Sequence, residues 1–451
     1  AALAALGNVV GALLGGLVLL PAWGVQGLLT ATAGVSLTLG TVLCLADAGQ
    51  SVRRRAAAAA LAAAALAAHW TWGGSWDRLI LAVGTHRYEG VTGLSFDAYL
   101  EALREKRTVL FQRDDAEASV SVLEMPEEKL RALMINGKAD ASTGVDMGTQ
   151  VLLGQLPFAL VPGAKRALLV GLGSGVTAGT ALRWPLERLD VAELSPAVVE
   201  AVGFFSKHNG VPLSDPRLRL HVGDGRALLR ASEGGYDAVV SEPSNPWIAG
   251  VGNLFTEEYF RLARSKLAAG GVMVQWFHLY ETEDALVKSI VGTFCDVFDD
   301  ASLWRTNGGD AFLVGFNGRR APDFAALERA LAGPPSAALE RLGLAGPAAL
   351  LSLQTAADAG TRGFGLEARR NTDHRPYLEY AAPRGRFLRS EASGLKRLDE
   401  AVGPWRGDLL LARYLAWRKK PLSDAETRSI LSYSKPIRGD WRLTLTKEWA
   451  A

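Results

Sequence analysis

Cysteine is nearly missing from this chain. Only Cys44 and Cys295 occur in 451 residues. They stand too far apart for a CxxC motif, a zinc-ligand spacing or a disulfide framework. Histidine is sparse too. The six, at positions 69, 86, 208, 221, 278 and 374, form no HExxH and no paired-ligand spacing, which argues against a resident metal. An excess of charge of either sign is also lacking. The formal net charge is +2, so bulk electrostatics give no reason to expect a nucleic-acid partner. What remains is enough chain for two or three domains, with its apolar residues distributed very unevenly.

Charge is almost absent from residues 1–48, where Asp47 stands alone. Residues 1–20 and 25–46 are each long enough to cross a bilayer, which takes about 20 apolar residues. "PAWG" joins them. Gly11, Gly15 and Gly16 suit close helix packing in lipid. Two tandem stretches without a basic lead or a small-residue cleavage site read as spans rather than as a signal peptide. A third segment, "AAAAALAAAALAAHWTW", follows Arg53, Arg54 and Arg55. Alanine is only marginally apolar, so this segment either spans or lies at the interface, with Trp70, Trp72 and Trp76 as anchors. The arginine triplet belongs on the cytoplasmic side. An interfacial third segment then leaves the rest of the chain cytoplasmic, and a spanning one puts it outside. The reading adopted is an integral membrane protein with its catalytic domain in the cytoplasm.

Residues 1–72 are thus expected to be membrane helices, two clear and one marginal, with 73–105 a linker. Residues 106–162 read as a small β-hairpin domain. "TVLFQRDDAEASVSVLEM" is two strands about a polar turn, and "RALMINGKADAST" is a second pair about Asn136-Gly137, a strong two-residue hairpin signal. "DMGTQVLLGQLPFALV" then has helical spacing. Over 163–320 the pattern changes to alternating short apolar strands and helices, which implies a parallel sheet covered on both faces. "ASLWRT" and "DAFLVGF" read as two antiparallel edge strands. Residues 321–451 are mostly helical.

Ligands of an open parallel sheet sit beyond the carboxyl ends of its strands. Four consecutive strands here end in polar loops. The first runs into "GLGSG", where Gly171, Gly173 and Gly175 let a ligand approach the backbone at a helix start. The plainer reading is a tight strand–helix turn. The second ends at Glu193, twenty residues past Gly173, where a carboxylate can accept both hydroxyls of a ribose; a solvated strand-end charge is the alternative. The third ends in "GDG", where Asp224 either accepts from an adenine amine or caps the next helix. The fourth ends in "SEPSNP", which stiffens Glu242 and Asn245 between prolines. Glu242 is either a site carboxylate or a cap. A nicotinamide site needs the glycine loop and one acid. The added Asp224 points instead to an S-adenosylmethionine-type donor.

These motifs, in this order, resemble the polyamine aminopropyltransferases, the spermidine synthase family. The membrane segments and "NTDHRPYLEYAAPR" resemble its subgroup fused to membrane helices. The resemblance implies a Rossmann-like, methyltransferase-type α/β sheet behind a small N-terminal β-domain. It also implies a polyamine acceptor, decarboxylated S-adenosylmethionine as co-substrate and a homodimer. By position Glu193 resembles the ribose-binding acid and Asp224 the adenine-binding acid. The other end differs. Ser174 stands where the family holds the donor amine with an aspartate. Glu242 and Asn245 replace the D-x-x-D pair, and Gln150 and Gln155 replace two histidines. Aminopropyl transfer needs a base for a protonated amine, and Glu242 can serve. The lost charges make room for a donor that keeps its carboxylate, intact S-adenosylmethionine, and so leave a methyltransferase or related transferase open. A non-catalytic nucleoside- or polyamine-binding domain is the third possibility. Gln275 and Trp276 are placed to line the acceptor pocket or simply to pack the strand end; His278 and Tyr280 are equally open. Asp373 resembles a family segment near the active site or is a turn former.

Overall fold

The computed structural model describes residues 2–47, 49–72, 74–84, 95–306, 309–319, 321–400 and 406–434. The chain divides into two compact units, residues 1–140 with 195–201, and residues 141–194 with 202–451. The segment 141–162, read above as the end of the hairpin domain, therefore packs with the larger unit.

In the first unit the two N-terminal apolar stretches run on as one helix of 45 residues, Ala2–Ala46. It is interrupted at Gly24, whose φ of 70° and ψ of 176° are not helical. That break falls in "PAWG", where proline and glycine both oppose regular helix. By length and composition this helix can cross a membrane, and no residue of its most apolar stretch is buried among the described residues. Val52–Trp72 forms a further helix. Of its proposed anchors, the side chains of Trp70 and Trp72 lie outside those described.

The expected linker carries two helices, Arg78–Val83 and Phe96–Lys106, capped by Asp77 and Ser95. Leu79, Ala82, Val83, Leu100 and Leu103 bury their side chains against Leu123, Ala132 and Met134. The last three lie on the strands β1 (Thr108–Asp114), β2 (Ser119–Met125), β3 (Leu130–Ile135) and β4 (Lys138–Ser142), which form one sheet in the order β1-β2-β3-β4. Asn136 and Gly137 take φ of 51° and 76°, the left-handed pair a two-residue hairpin requires. Asp115 accepts from the Ser195 hydroxyl and the Ala197 amide. Burial opposes its charge, and these bonds together still hold its carboxyl below the usual range.

The larger unit has an α/β fold around an eight-stranded sheet. Its strands are β5 (Arg166–Val170), β6 (Arg188–Glu193), β7 (Leu218–Val222), β8 (Tyr236–Ser241), β9 (Leu267–His278), β10 (Asp300–Arg305), β11 (Asp310–Phe316) and β12 (Gln354–Ala356). Their order is β12-β10-β11-β9-β8-β5-β6-β7. Strands β5 to β9 pair in parallel, while β11, β10 and β12 add antiparallel. β10 and β11 are thus interior, not edge, strands, because β12 covers β10. β5, β8 and β9 are buried on both faces, hence their unbroken apolar runs. Helices Glu257–Lys266 and Asp284–Cys295 cover one face, with Tyr259, Phe260, Phe294 and Phe298 in the core beneath them.

Candidate active site

Chain order reverses between β5 and β8. β6 and β7 extend the sheet to one side of this pair and β9 to the other. In open α/β sheets such a switch point is where strand-end loops part and leave a crevice. The glycine loop follows β5 and "SEPSNP" follows β8, so the switch point sets them side by side.

The glycines there are required by space. Gly171 has φ of 98°, and a Cβ on it would lie 2.4 Å from the Glu242 carbonyl oxygen. Gly175 starts helix Val176–Ala181 in the left-handed region at φ of 80°. Glu242 itself continues the ladder, its amide donating to the Val170 carbonyl at 2.9 Å. Beneath it the Tyr259 hydroxyl donates to Ser241 Oγ at 3.0 Å. Burial pushes that phenol up to about 12, so it stays protonated as a donor.

Three of the expected residues come together around the loop. Ser174, almost fully buried, donates its hydroxyl to Gln150 Oε1. Gln150 Nε2 donates in turn to the Ser142 carbonyl at 2.9 Å. Thr177 Oγ1 lies 2.6 Å from Glu242 Oε2 and 3.1 Å from the Gln150 carbonyl, so its one hydroxyl proton goes to the closer carboxylate. Sequence reasoning missed Thr177. The signal was its place three residues after Ser174, on the first helical turn facing the strand ends. A neutral pair, Gln150 and Ser174, thus lies beside Thr177, whose hydroxyl serves one carboxylate, Glu242.

The two adenosine-side acids are placed differently. Glu193 is largely buried, and its Oε2 accepts from the Leu172 amide at 2.9 Å. It holds the glycine loop to the end of β6. Asp224 is exposed and caps helix Gly225–Ala231 through the Ala227 amide, so the capping role is realised. Asn245 is fully buried, with Nδ2 at 3.4 Å from the Tyr280 hydroxyl. Gln275 sits in register with Ser241. It is fully buried, and its Oε1 has no hydrogen-bond partner among the described residues.

Two other candidates belong to the scaffold. Gln155 donates to the Pro335 carbonyl and accepts from Trp184 Nε1; both ends of its amide are committed. Asp373 is held in an ion pair. It receives both guanidinium nitrogens of Arg226, and that cation holds its carboxyl below the usual range.

Residues 147–306 match the family model described as the spermine/spermidine synthase domain. That segment contains every site residue above. Among curated relatives, the spermidine synthase of Coffea arabica is 30% identical over 165 residues, 35% of this chain and 52% of that protein. Putrescine N-methyltransferase 3 of Nicotiana tabacum is 32% identical over 150 residues, 32% of this chain and 38% of that protein. The chain spans about half, or less, of the length of these relatives. A solved spermidine synthase from Thermotoga maritima superposes with a TM-score of 0.40 at 18% identity, covering 47% of this chain and 73% of that one.

Proposed function

We propose that this chain is a transferase that moves an aminopropyl group from decarboxylated S-adenosylmethionine to a polyamine. The observation that carries this reading is Glu242, a carboxylate held in a proline-stiffened loop at the switch point, directly against the glycine loop. In the proposed step the acceptor nitrogen forms a new C–N bond to the propyl carbon. The C–S bond breaks with its electron pair left on sulfur, which releases methylthioadenosine. The proton leaving the nitrogen goes to Glu242. A positioned base of this kind contributes roughly 10²–10⁴-fold.

The remaining assignments follow from position. The backbone of Gly171, Gly173 and Gly175 lets the donor approach, Glu193 accepts from its ribose and Asp224 from its adenine. Ser174, Gln150, Asn245 and Gln275 line the substrate side, with the Gln275 Oε1 ready to accept from an amine. The Ala2–Ala46 helix supports a membrane attachment, and the arginine triplet supports a cytoplasmic catalytic domain.

One observation favours a second reading. Ser174 and Gln150 form a buried neutral pair where an anion would hold the donor's amine. A donor that keeps its carboxylate meets no repulsion there, and a relative matched over this region is named a putrescine N-methyltransferase. Methyl transfer from intact S-adenosylmethionine is that reading.

The test supplies the purified full chain with each donor and a panel of diamines, and identifies the nucleoside formed. Amine-dependent methylthioadenosine from the decarboxylated donor is expected. S-adenosylhomocysteine from the intact donor would instead establish methyl transfer. Glu242→Gln should lower the rate at least 100-fold while nucleoside affinity stays within threefold; an unchanged rate removes Glu242 as the base.

A further inference from the structure

Helices Met147–Leu153, Val176–Ala181, Ser206–Asn209 and Ser336–Arg341 enclose part of a cavity of about 320 Å³. Its floor is apolar, made by Met147, Val151, Ala338 and Leu342. Its rim is cationic. Arg183, Lys207 and Arg341 line it, together with His208, and no acidic residue does. Among the described residues, none of these three cations has a hydrogen-bond or ion-pair partner for its side chain.

Several other arginines in this unit are matched with acids. Arg188 faces Asp190, Arg217 faces Asp215, Arg226 faces Asp373 and Arg370 faces Asp296. In a wider concavity of about 520 Å³ near Cys295, Arg362 is already held by Asp358 and by two carbonyls. The 320 Å³ basin is different. Like charges around one concave, partly apolar surface repel one another, and the low-dielectric floor strengthens that repulsion.

We propose that this basin is a binding site for an organic phosphate. The guanidinium forks of Arg183 and Arg341 and the Lys207 ammonium suit a dianionic head, and the floor suits a compact apolar body. The volume lies at the small end of ligand cavities, roughly 300–1,000 Å³. The basin also touches the glycine loop through one side chain. Asn209 lines it and donates to the Ser174 carbonyl at 2.9 Å. Nothing in this assignment depends on the transferase reading.

Naphthyl phosphate is the probe, because it carries no adenosine to occupy the crevice at the strand ends. Calorimetry on the full chain should show one site per chain, tighter than for inorganic phosphate and weakened by added salt. Naphthol should not bind. The Arg183→Gln, Arg341→Gln double variant should lose at least tenfold in affinity, and Lys207→Gln a smaller factor. All three side chains are exposed, so the thermal midpoint should stay near that of the wild type. If dihexanoyl phosphatidic acid, also a phosphomonoester, binds more tightly than naphthyl phosphate with the same variant dependence, the phosphate site holds and its natural source is a lipid headgroup. No binding by the wild type, equal binding of naphthol, or undiminished binding by the double variant would overturn the proposal.

Discussion

At Gly171 two separate demands fall on one residue. Its φ lies in the region that favours glycine, and its missing side chain is where the Glu242 carbonyl approaches. Gly171→Ala therefore cannot be absorbed by turning a side chain aside. One of the two loops must move, and it is the pair of loops that aligns Glu242 with Thr177. The expected outcome is a loss of roughly 1–3 kcal/mol in urea unfolding, with transfer activity falling by more than the stability loss explains. A variant as stable as the wild type would mean that the two loops are less closely set than the 2.4 Å approach implies. Gly173 has no such neighbour, the nearest being Ala141 Cβ at 3.8 Å, so its strain is conformational alone and Gly173→Ala should cost less.

Helix Gly225–Ala231 shows how one element serves stability and the site together. Asp224 caps it, and Arg226, one residue in, braces it against Asp373. Asp224→Ala should lower stability by about 1 kcal/mol through the lost cap. Asp224→Asn should restore the cap, because an amide oxygen accepts equally well there, while adenosyl-ligand affinity stays reduced. If Asn restores both, the carboxylate has no ligand role. The Asp373 brace makes a pH-dependent contribution. Its folded pKa is depressed by Arg226, so its contribution is present above the ordinary carboxylate range and is lost as pH falls below about 4. The stability difference between wild type and Asp373→Asn should shrink towards zero over that fall, and a difference that grows on acidification would refute the sign. Much of this level was legible in the sequence. Asn136-Gly137 specified its hairpin by backbone chemistry alone, and short apolar runs placed β5 to β11. Local signals for Phe96–Lys106 were present as well, in the Ser95 cap and the Leu100 and Leu103 spacing, but surrounding loop-like residues obscured them. Other features depend on distant partners and leave no local trace. β12 is three residues, "QTA", which pattern cannot distinguish from a turn. Gln155 looks like a site residue until its amide is found committed to Pro335 and Trp184.

For the chain as a whole, the long apolar helix Ala2–Ala46 sets the expected behaviour. The full chain, expressed with its N-terminal residues, should remain in the membrane pellet through alkaline carbonate extraction. Recovery in the supernatant would remove the membrane attachment. Cys44 gives a native probe of sidedness, since it lies near the end of that helix and is partly exposed while Cys295 is buried. A membrane-impermeant maleimide should label Cys44 from the face that carries Arg53, Arg54 and Arg55. The eight-stranded sheet has a consequence of another kind. Its first strand begins at Arg166 and its outermost antiparallel strand ends at Ala356, about 190 residues later. At roughly 5–20 residues per second of synthesis, some 10–40 s separate the two. For the last part of that interval β10 has been made and its outer rim of amides and carbonyls has nothing to pair with. The nascent chain is then exposed to mispairing along β10 until the three residues Gln354–Ala356 arrive to pair with it.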